Sequence, residues 1–288
     1  MGGEQPEHGA LHNGAGTLAG RLAAAGVTDS AEPMEAWLRL RAVEGNRATI
    51  IDLYELVAAA SGLAAHELPL TVRLGLARRA VPHIWPGFSI TKGSERPAVP
   101  LVVVDYDPAW PQTYARWRYQ IGAALGPAAL GIEHVGSTSV PGLAAKPIVD
   151  VQVSVADLAD EPRWVAQLEG VGLVLRSRDE LHRYFRPPAG QPRDVHVHVC
   201  AAGSQWERDH LLFRDFLRAD PAACRRYAQA KRANARRWSD DGWAYTEAKS
   251  GVVLDILARA TDWAAATGWA PPRYSADRRY GPPPGFRN

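Results

Sequence analysis

The chain has 288 residues, of which 46% are hydrophobic and 22% charged, with a formal net charge of +2. That length holds one large domain or two small ones, and the balance is that of a folded globular protein. The near-neutral charge makes no whole-chain case for nucleic-acid binding, and the two cysteines, Cys200 and Cys224, build neither a disulfide framework nor a zinc cluster.

Residues 1–16 are rich in Gly and polar side chains and read as a disordered tail, without the basic-then-apolar order of a secretory signal. No later apolar run reaches bilayer-spanning length, so no membrane is expected and the cytoplasm is the default compartment. Residues 17–85 repeat apolar side chains at helical spacing (Leu18, Leu22, Ala25; Met34, Leu38; Ile50, Leu53, Tyr54, Val57). A break at Ser61-Gly62 and a restart at His66–Pro69 divide this region into three or four helices. It holds no acid or histidine cluster at ligand spacing, so a small packing domain is expected, or a surface through which two copies form a homodimer. Residues 86–100, with Gly, Pro, Ser and Lys, are the expected linker.

From residue 101 the pattern alternates. A strand is expected over 101–105, an amphipathic helix over 108–125, then strands over 132–135 and 148–153. A helix over 157–168 and strands over 172–175, 182–186 and 194–200 follow, with a turn at 187–192. Three long helices over 205–218, 221–238 and 244–263 close the domain, which is expected to run over 101–266. The Pro-, Gly- and Arg-rich tail, 267–288, reads as extended or disordered. Strands at the centre and helices gathered at the end predict an α+β fold: a mixed sheet with helices packed on it and a C-terminal helical cap.

The most informative stretch is Glu133-His134-Val135-Gly136-Ser137-Thr138-Ser139-Val140-Pro141-Gly142-Leu143-Ala144-Ala145-Lys146-Pro147, which leads into Ile148-Val149-Asp150-Val151-Gln152-Val153. A strand ends in a small-residue turn whose N–H groups and hydroxyls could face an anion. In the next strand Asp150 and Gln152 point to one face. A carboxylate in so β-branched a run needs a metal or a hydrogen-bond network. His196 and His198 share a face of their own strand in the same way.

This arrangement resembles the nucleotidyltransferase superfamily of the DNA polymerase β fold, and its wording is similar to the GrpB family. The resemblance runs from Val104-Asp105-Tyr106-Asp107-Pro108-Ala109-Trp110-Pro111 to about Ala260. It implies a nucleotidyltransferase-like sheet on which Gly136, Ser137, Thr138 and Ser139 cradle phosphates and Asp150 holds a metal. The superfamily's second acid is here Gln152, an uncharged amide, which serves as a ligand or as a hydrogen-bond partner. The resemblance implies Mg²⁺. Two imidazoles beside one carboxylate suit Mn²⁺ or another borderline metal better, and Asp150, Gln152 and His198 are the expected ligands. Alternatively, one histidine is a general base and the other binds phosphate.

Lys146 could neutralise phosphate or hold Asp150. His134 orients the turn or caps it. Arg214, Lys231, Tyr245 and Lys249 lie on the closing helices, where related nucleotidyltransferases bind triphosphate. His134, His182 and Arg183 are expected to bind the acceptor substrate. The implied activity is a transferase that moves a nucleotidyl or phosphoryl group from ATP or another nucleoside triphosphate to a small-molecule acceptor. If the acceptor is a carboxylate, amide formation could follow, as in a ligase. A metal-dependent hydrolase or lyase using Asp150, His196 and His198 is the alternative, and a non-catalytic nucleotide-binding module the third reading.

Overall fold

The computed structural model describes residues 16–27, 31–95, 99–274 and 280–282. The expected N-terminal tail therefore lies almost wholly outside the described residues, as do 96–98 of the linker and much of the C-terminal tail.

Four helices open the chain: α1 (Leu18–Ala24), α2 (Pro33–Glu44), α3 (Ile50–Ala59) and α4 (Leu70–Ile84). Pro33 stands in the first turn of α2, where its missing N–H costs nothing. Thr49 and Asp52 form a capping box at the start of α3. The expected linker contains a two-residue edge strand, β1 (Ser89–Ile90). The strand expected over 101–105 is instead an extended segment with a single bridge, Val104 to Ala145. At its other end Leu101 N–H donates to the Ser239 carbonyl, so the backbone is satisfied by two different neighbours rather than by one ladder.

Helix α5 (Trp110–Leu125) leads into β2 (Gly131–Val135) and β3 (Val149–Val155). The helix expected over 157–168 is a single turn at Glu161–Arg163 followed by the short α6 (Val165–Gly170). Its beginning is lost because the Asp157 carboxylate accepts from Ala159 N–H, an Asx turn that competes with helix. Strands β4 (Val174–Arg178), β5 (His182–Arg186) and β6 (Val195–Ala201) complete a six-stranded sheet of order β1-β4-β5-β6-β3-β2. Strands β3 and β6, both interior, run parallel and the remaining pairs are antiparallel.

Helices α7 (Gln205–Ala219), α8 (Pro221–Arg237), α9 (Gly242–Glu247) and α10 (Ser250–Thr267) close the fold. The third long helix expected over 244–263 is thus two helices, broken around Ala248 and Lys249. Asp241 caps the first by accepting from Trp243 and Ala244 N–H. None of the described helices is long and apolar enough to cross a membrane.

The sheet has two unlike faces. Val149, Val151, Val153 and Val155 of β3, with Val195, Val197 and Val199 of β6, pack against Trp117, Ile121 and Leu125 of α5 and Leu168 of α6. The other face carries Asp150, Gln152 and Ser154 opposite His196, His198 and Cys200. A second core joins α7, α8 and α10 through Leu212, Phe216, Tyr227, Val252 and Ile256. The third gathers Trp37, Leu53, Tyr54 and Ala77 of the N-terminal helices with Trp238, Ala244 and Tyr245 of the C-terminal cap. The N-terminal helices therefore share a core with the rest of the protein.

Candidate active site

The polar face of β3 and β6 carries the site because alternation in each strand sends valines one way and Asp150, Gln152, His196 and His198 the other. The parallel register places Asp150 opposite His196 and Gln152 opposite His198. Asp150 Oδ1 lies 3.3 Å from His196 Nδ1 and 3.6 Å from His198 Nε2. One ligand atom from each of the three residues falls within 4.8 Å of the others. Burial works against the charge on Asp150, but bonds from His196 and His198 outweigh it and hold the carboxyl well below its usual range. Burial also pushes His196 down to about 4, so at neutral pH an ionised carboxylate faces a neutral imidazole.

Arg193 fixes the tautomer of that imidazole. Its Nε–H donates to His196 Nε2 at 3.1 Å, which leaves the ring hydrogen on Nδ1, aimed at Asp150. Gln152 is fully buried, and among the described residues neither end of its amide has a hydrogen-bond partner. These donors do not make a two-magnesium cage, because only Asp150 brings a charged oxygen where Mg²⁺ asks for an oxygen octahedron. Asp150 and His198 offer grouped ligand atoms that suit a single divalent ion, while His196 serves as a hydrogen-bond donor and Gln152 lies opposite His198 in the register.

The turn after β2 meets the carboxylate directly. Gly136 has φ +66°, and a Cβ there would stand 2.3 Å from Asp150 Oδ2. The three hydroxyls that follow divide their work. Thr138 pairs with His134 Nε2 at 3.0 Å, and Ser139 donates to the Gly136 carbonyl at 2.6 Å. Both are buried and spent on the turn itself. Ser137 bonds to Tyr227 and belongs to the pocket.

Three lysines converge from different elements: Lys146 before β3, Lys231 on α8 and Lys249 in the break between α9 and α10. Lys146 Nζ lies 5.3 Å and Lys249 Nζ 4.5 Å from the centre of the Tyr245 ring, and Lys231 Nζ lies 4.6 Å from that of Tyr227. Lys231 also donates to the Ala144 carbonyl. The charge on Asp150 favours the protonated form of all three, but desolvation dominates. Lys231 is pushed down to about 6 and Lys249 to about 7, and Lys146 is also lowered. The Tyr227 hydroxyl is raised to about 12 by burial, and Tyr245 is raised further by the same cause.

Besides Thr138 and Ser139, three residues picked from sequence are placed apart from this centre or committed elsewhere. His134 pairs across the sheet with Val151, on the face opposite Asp150, and stacks on Tyr114 at 4.7 Å. Arg183 pairs with Val199 and sends its guanidinium to Glu161 at 2.5 Å, again away from the site. Arg214 stands over the polar face but is tied to Glu133 at 3.0 Å and Asp215 at 2.7 Å, which makes it a clamp between α7 and β2. His182 does face the site, fixed to Asp179 at 2.6 Å and stacked on Trp206.

Other residues join without having been picked from sequence. Tyr184 stacks on His198 at 5.3 Å and meets the His196 ring edge-on at 5.2 Å. Arg193 bonds to both Tyr184 and His196. Arg176, in the bulged part of β4, donates to Ser94 Oγ at 3.3 Å and stands near Tyr184 and Arg193. Tyr184 alternates with His182 on β5 and could have been found that way. Arg176 and Arg193 come from a bulge and a turn, where no periodicity marks them.

Comparison with known proteins agrees with this architecture. The family model described as GrpB protein matches residues 100–259, and the chain belongs to the GrpB family. A UPF0157 protein of Streptomyces coelicolor is 47% identical over 163 residues, which are 57% of this chain and 86% of that protein. The crystal structure of the conserved protein GrpB from Enterococcus faecalis superposes with a TM-score of 0.51 at 30% identity, covering 56% of this chain and 98% of that one. A dephospho-CoA kinase of Mycolicibacterium paratuberculosis is 34% identical over 200 residues, but these cover only 49% of the kinase.

Proposed function

We propose that this protein binds a nucleoside triphosphate, ATP in the first instance, and moves a nucleotidyl or phosphoryl group to a small-molecule acceptor. The observation that carries this reading is the gathering of Lys146 and Lys249 at the Tyr245 ring and of Lys231 at the Tyr227 ring, whose hydroxyl bonds Ser137 of the turn that meets Asp150. Three lysines with burial-lowered proton affinity make a pocket that is short of protons when empty. A polyphosphate supplies the anionic charge that would return those protons and balance the pocket. Ser137 and the turn would hold the phosphate oxygens. The lysines would stabilise charge developing on the phosphates during in-line attack.

Asp150, kept ionised by His196 and His198, would accept a hydrogen bond from the acceptor's hydroxyl or amine and orient it for attack. A divalent ion on Asp150, His198 and Gln152 would, when bound, add Lewis-acid neutralisation of phosphate charge. The relatives named dephospho-CoA kinase lend a nucleotide-linked context, with the shared region about half of their length.

The test is a thermal-shift panel of nucleoside triphosphates and inorganic tripolyphosphate, with and without Mg²⁺ or Mn²⁺. A ligand present at a hundred times its Kd should stabilise the protein by about 2.7 kcal/mol. Lys249→Met should lose the shift for every polyphosphate. Asp150→Ala should lose only the metal-dependent part. No shift with any of these ligands contradicts the reading.

A metal-dependent hydrolase is the second reading, favoured by the 4.8 Å grouping of Asp150, His196 and His198. Its signature would be a stoichiometric transition metal in protein purified without chelator, and polyphosphates that fail to bind.

A further inference from the structure

We infer that the acceptor carries a carboxylate, and that Arg176 and Arg193 hold it beside Tyr184. This inference rests on the group-transfer reading, with the lysines taken as the phosphate end of the site.

The arginines lie on the strand side of Asp150, on β4 and just before β6. Lys231 and Lys249 come from the helical cap on the other side. Arg193 is fixed by Tyr184 and by His196, the residue that donates to Asp150. Arg176 is fixed to Ser94 and stands in the β4 bulge opposite Tyr184, the residue that Arg193 bonds, so both guanidinium groups border the same tyrosine. Glu95 is near Arg176, yet neither guanidinium has a carboxylate within ion-pair distance among the described residues. Other arginines of the same sheet are paired: Arg178 and Arg183 both reach Glu161.

Two like charges brought together without a carboxylate between them are unfavourable in the empty protein. A planar anion that takes a fork from each relieves the repulsion. Fork geometry and the Tyr184 hydroxyl suit a carboxylate. The compact, rotatable charges of the lysines suit the polyphosphate. Arg193 is linked through His196 to Asp150, so an acceptor anchored by its carboxylate would lie on the strand side of Asp150, opposite the lysines of the cap.

The probes are small carboxylates (malonate, glutarate, L-glutamate, benzoate), each set against its neutral amide. Binding is followed by ligand-observed saturation-transfer NMR on the full chain, with tripolyphosphate titrated separately. At least one carboxylate should bind wild type while its amide does not. Arg193→Gln and Arg176→Gln should each weaken that binding by about tenfold or more, and tripolyphosphate affinity should stay within about threefold, well under the tenfold that 1.4 kcal/mol represents. Arg193→Lys, which keeps the charge and loses the fork, should also weaken the carboxylate, and an unchanged melting temperature excludes misfolding as the cause.

The inference is overturned if no carboxylate binds while tripolyphosphate does, if carboxylates and amides bind alike, or if the arginine variants leave carboxylate binding intact. It is overturned equally if those variants lose tripolyphosphate as Lys249→Met does, since the arginines would then belong to the phosphate site. Failure of tripolyphosphate to bind wild type while carboxylates bind would instead contradict the proposed function and leave this site standing.

Discussion

Gly136 and Asp150 constrain one another. The left-handed backbone at Gly136 already excludes most side chains, and a methyl group there would collide with the carboxylate oxygen 2.3 Å away. Gly136→Ala is therefore expected to cost about 1–3 kcal/mol of stability and to displace Asp150 from its histidines. Differential scanning calorimetry reads the first effect. Loss of metal-dependent ligand shifts reads the second.

The lysines make a pH prediction whose sign follows from linkage. Lys249 is pushed down to about 7, below the ordinary lysine value that the unfolded chain retains. Between pH 7 and about 10 the unfolded state binds a proton that the native state does not, so unliganded stability gains from this residue as pH rises. Lys249→Met should flatten that slope in a pH series of melting curves. Polyphosphate should restore the ammonium. Binding at pH 8 should then take up protons, measured by calorimetry in buffers of different ionisation enthalpy, and the uptake should shrink in Lys249→Met. At this scale the sequence was legible where alternation set the face: Asp150, Gln152, His196 and His198 needed only a period of two. His134 bonds Thr138 and so holds the turn as expected, but its face was not legible because its strand is buried on both faces and a polar residue there signals neither one.

Helix α7 is the element whose role changed most between sequence and structure. Its arginines occur at helical spacing, which fits a phosphate-binding face. Spacing does not reveal what stands opposite, however, and Glu133 and Asp215 take up Arg214. Arg214 is buried and its partners are only partly so. Arg214→Met should therefore cost about 3 kcal/mol, the low end for breaking a buried pair. Urea unfolding measures this, with polyphosphate affinity changed far less than in Lys249→Met.

Elements were readable where period and caps agreed, as in α5, β3, β6, α7 and α8. They were misread where local side-chain chemistry intervened. The Asx turn at Asp157 removed half a helix. The break before α10 divided a helix that hydrophobic periodicity runs straight through. That break brings Lys249 beneath Tyr245, so the departure from a regular helix falls at the site.

The N-terminal helices lie outside the family match, yet they are part of the molecule's core. Trp37 is fully buried in the cluster that holds Trp238, Ala244 and Tyr245. Arg73 reaches Asp240 at 2.7 Å and Asp241 at 3.2 Å, and the Tyr54 hydroxyl donates to Asp241, the cap of α9. These contacts join residues far apart in the chain, and composition or periodicity cannot reveal them. Trp37→Ala should cost about 3–5 kcal/mol. Because the same cluster backs Tyr245, polyphosphate affinity should fall as well. A chain lacking residues 1–85 should expose this core and lose cooperative unfolding, read by calorimetry.

The most direct measurement is a crystal structure with a non-hydrolysable ATP analogue. Phosphates are expected between the Gly136–Ser137 turn and the ammonium groups of Lys146, Lys231 and Lys249, within reach of Asp150. Phosphates seated elsewhere would contradict it, for instance in the open groove formed by Pro141, Gly142, Arg218 and Arg225.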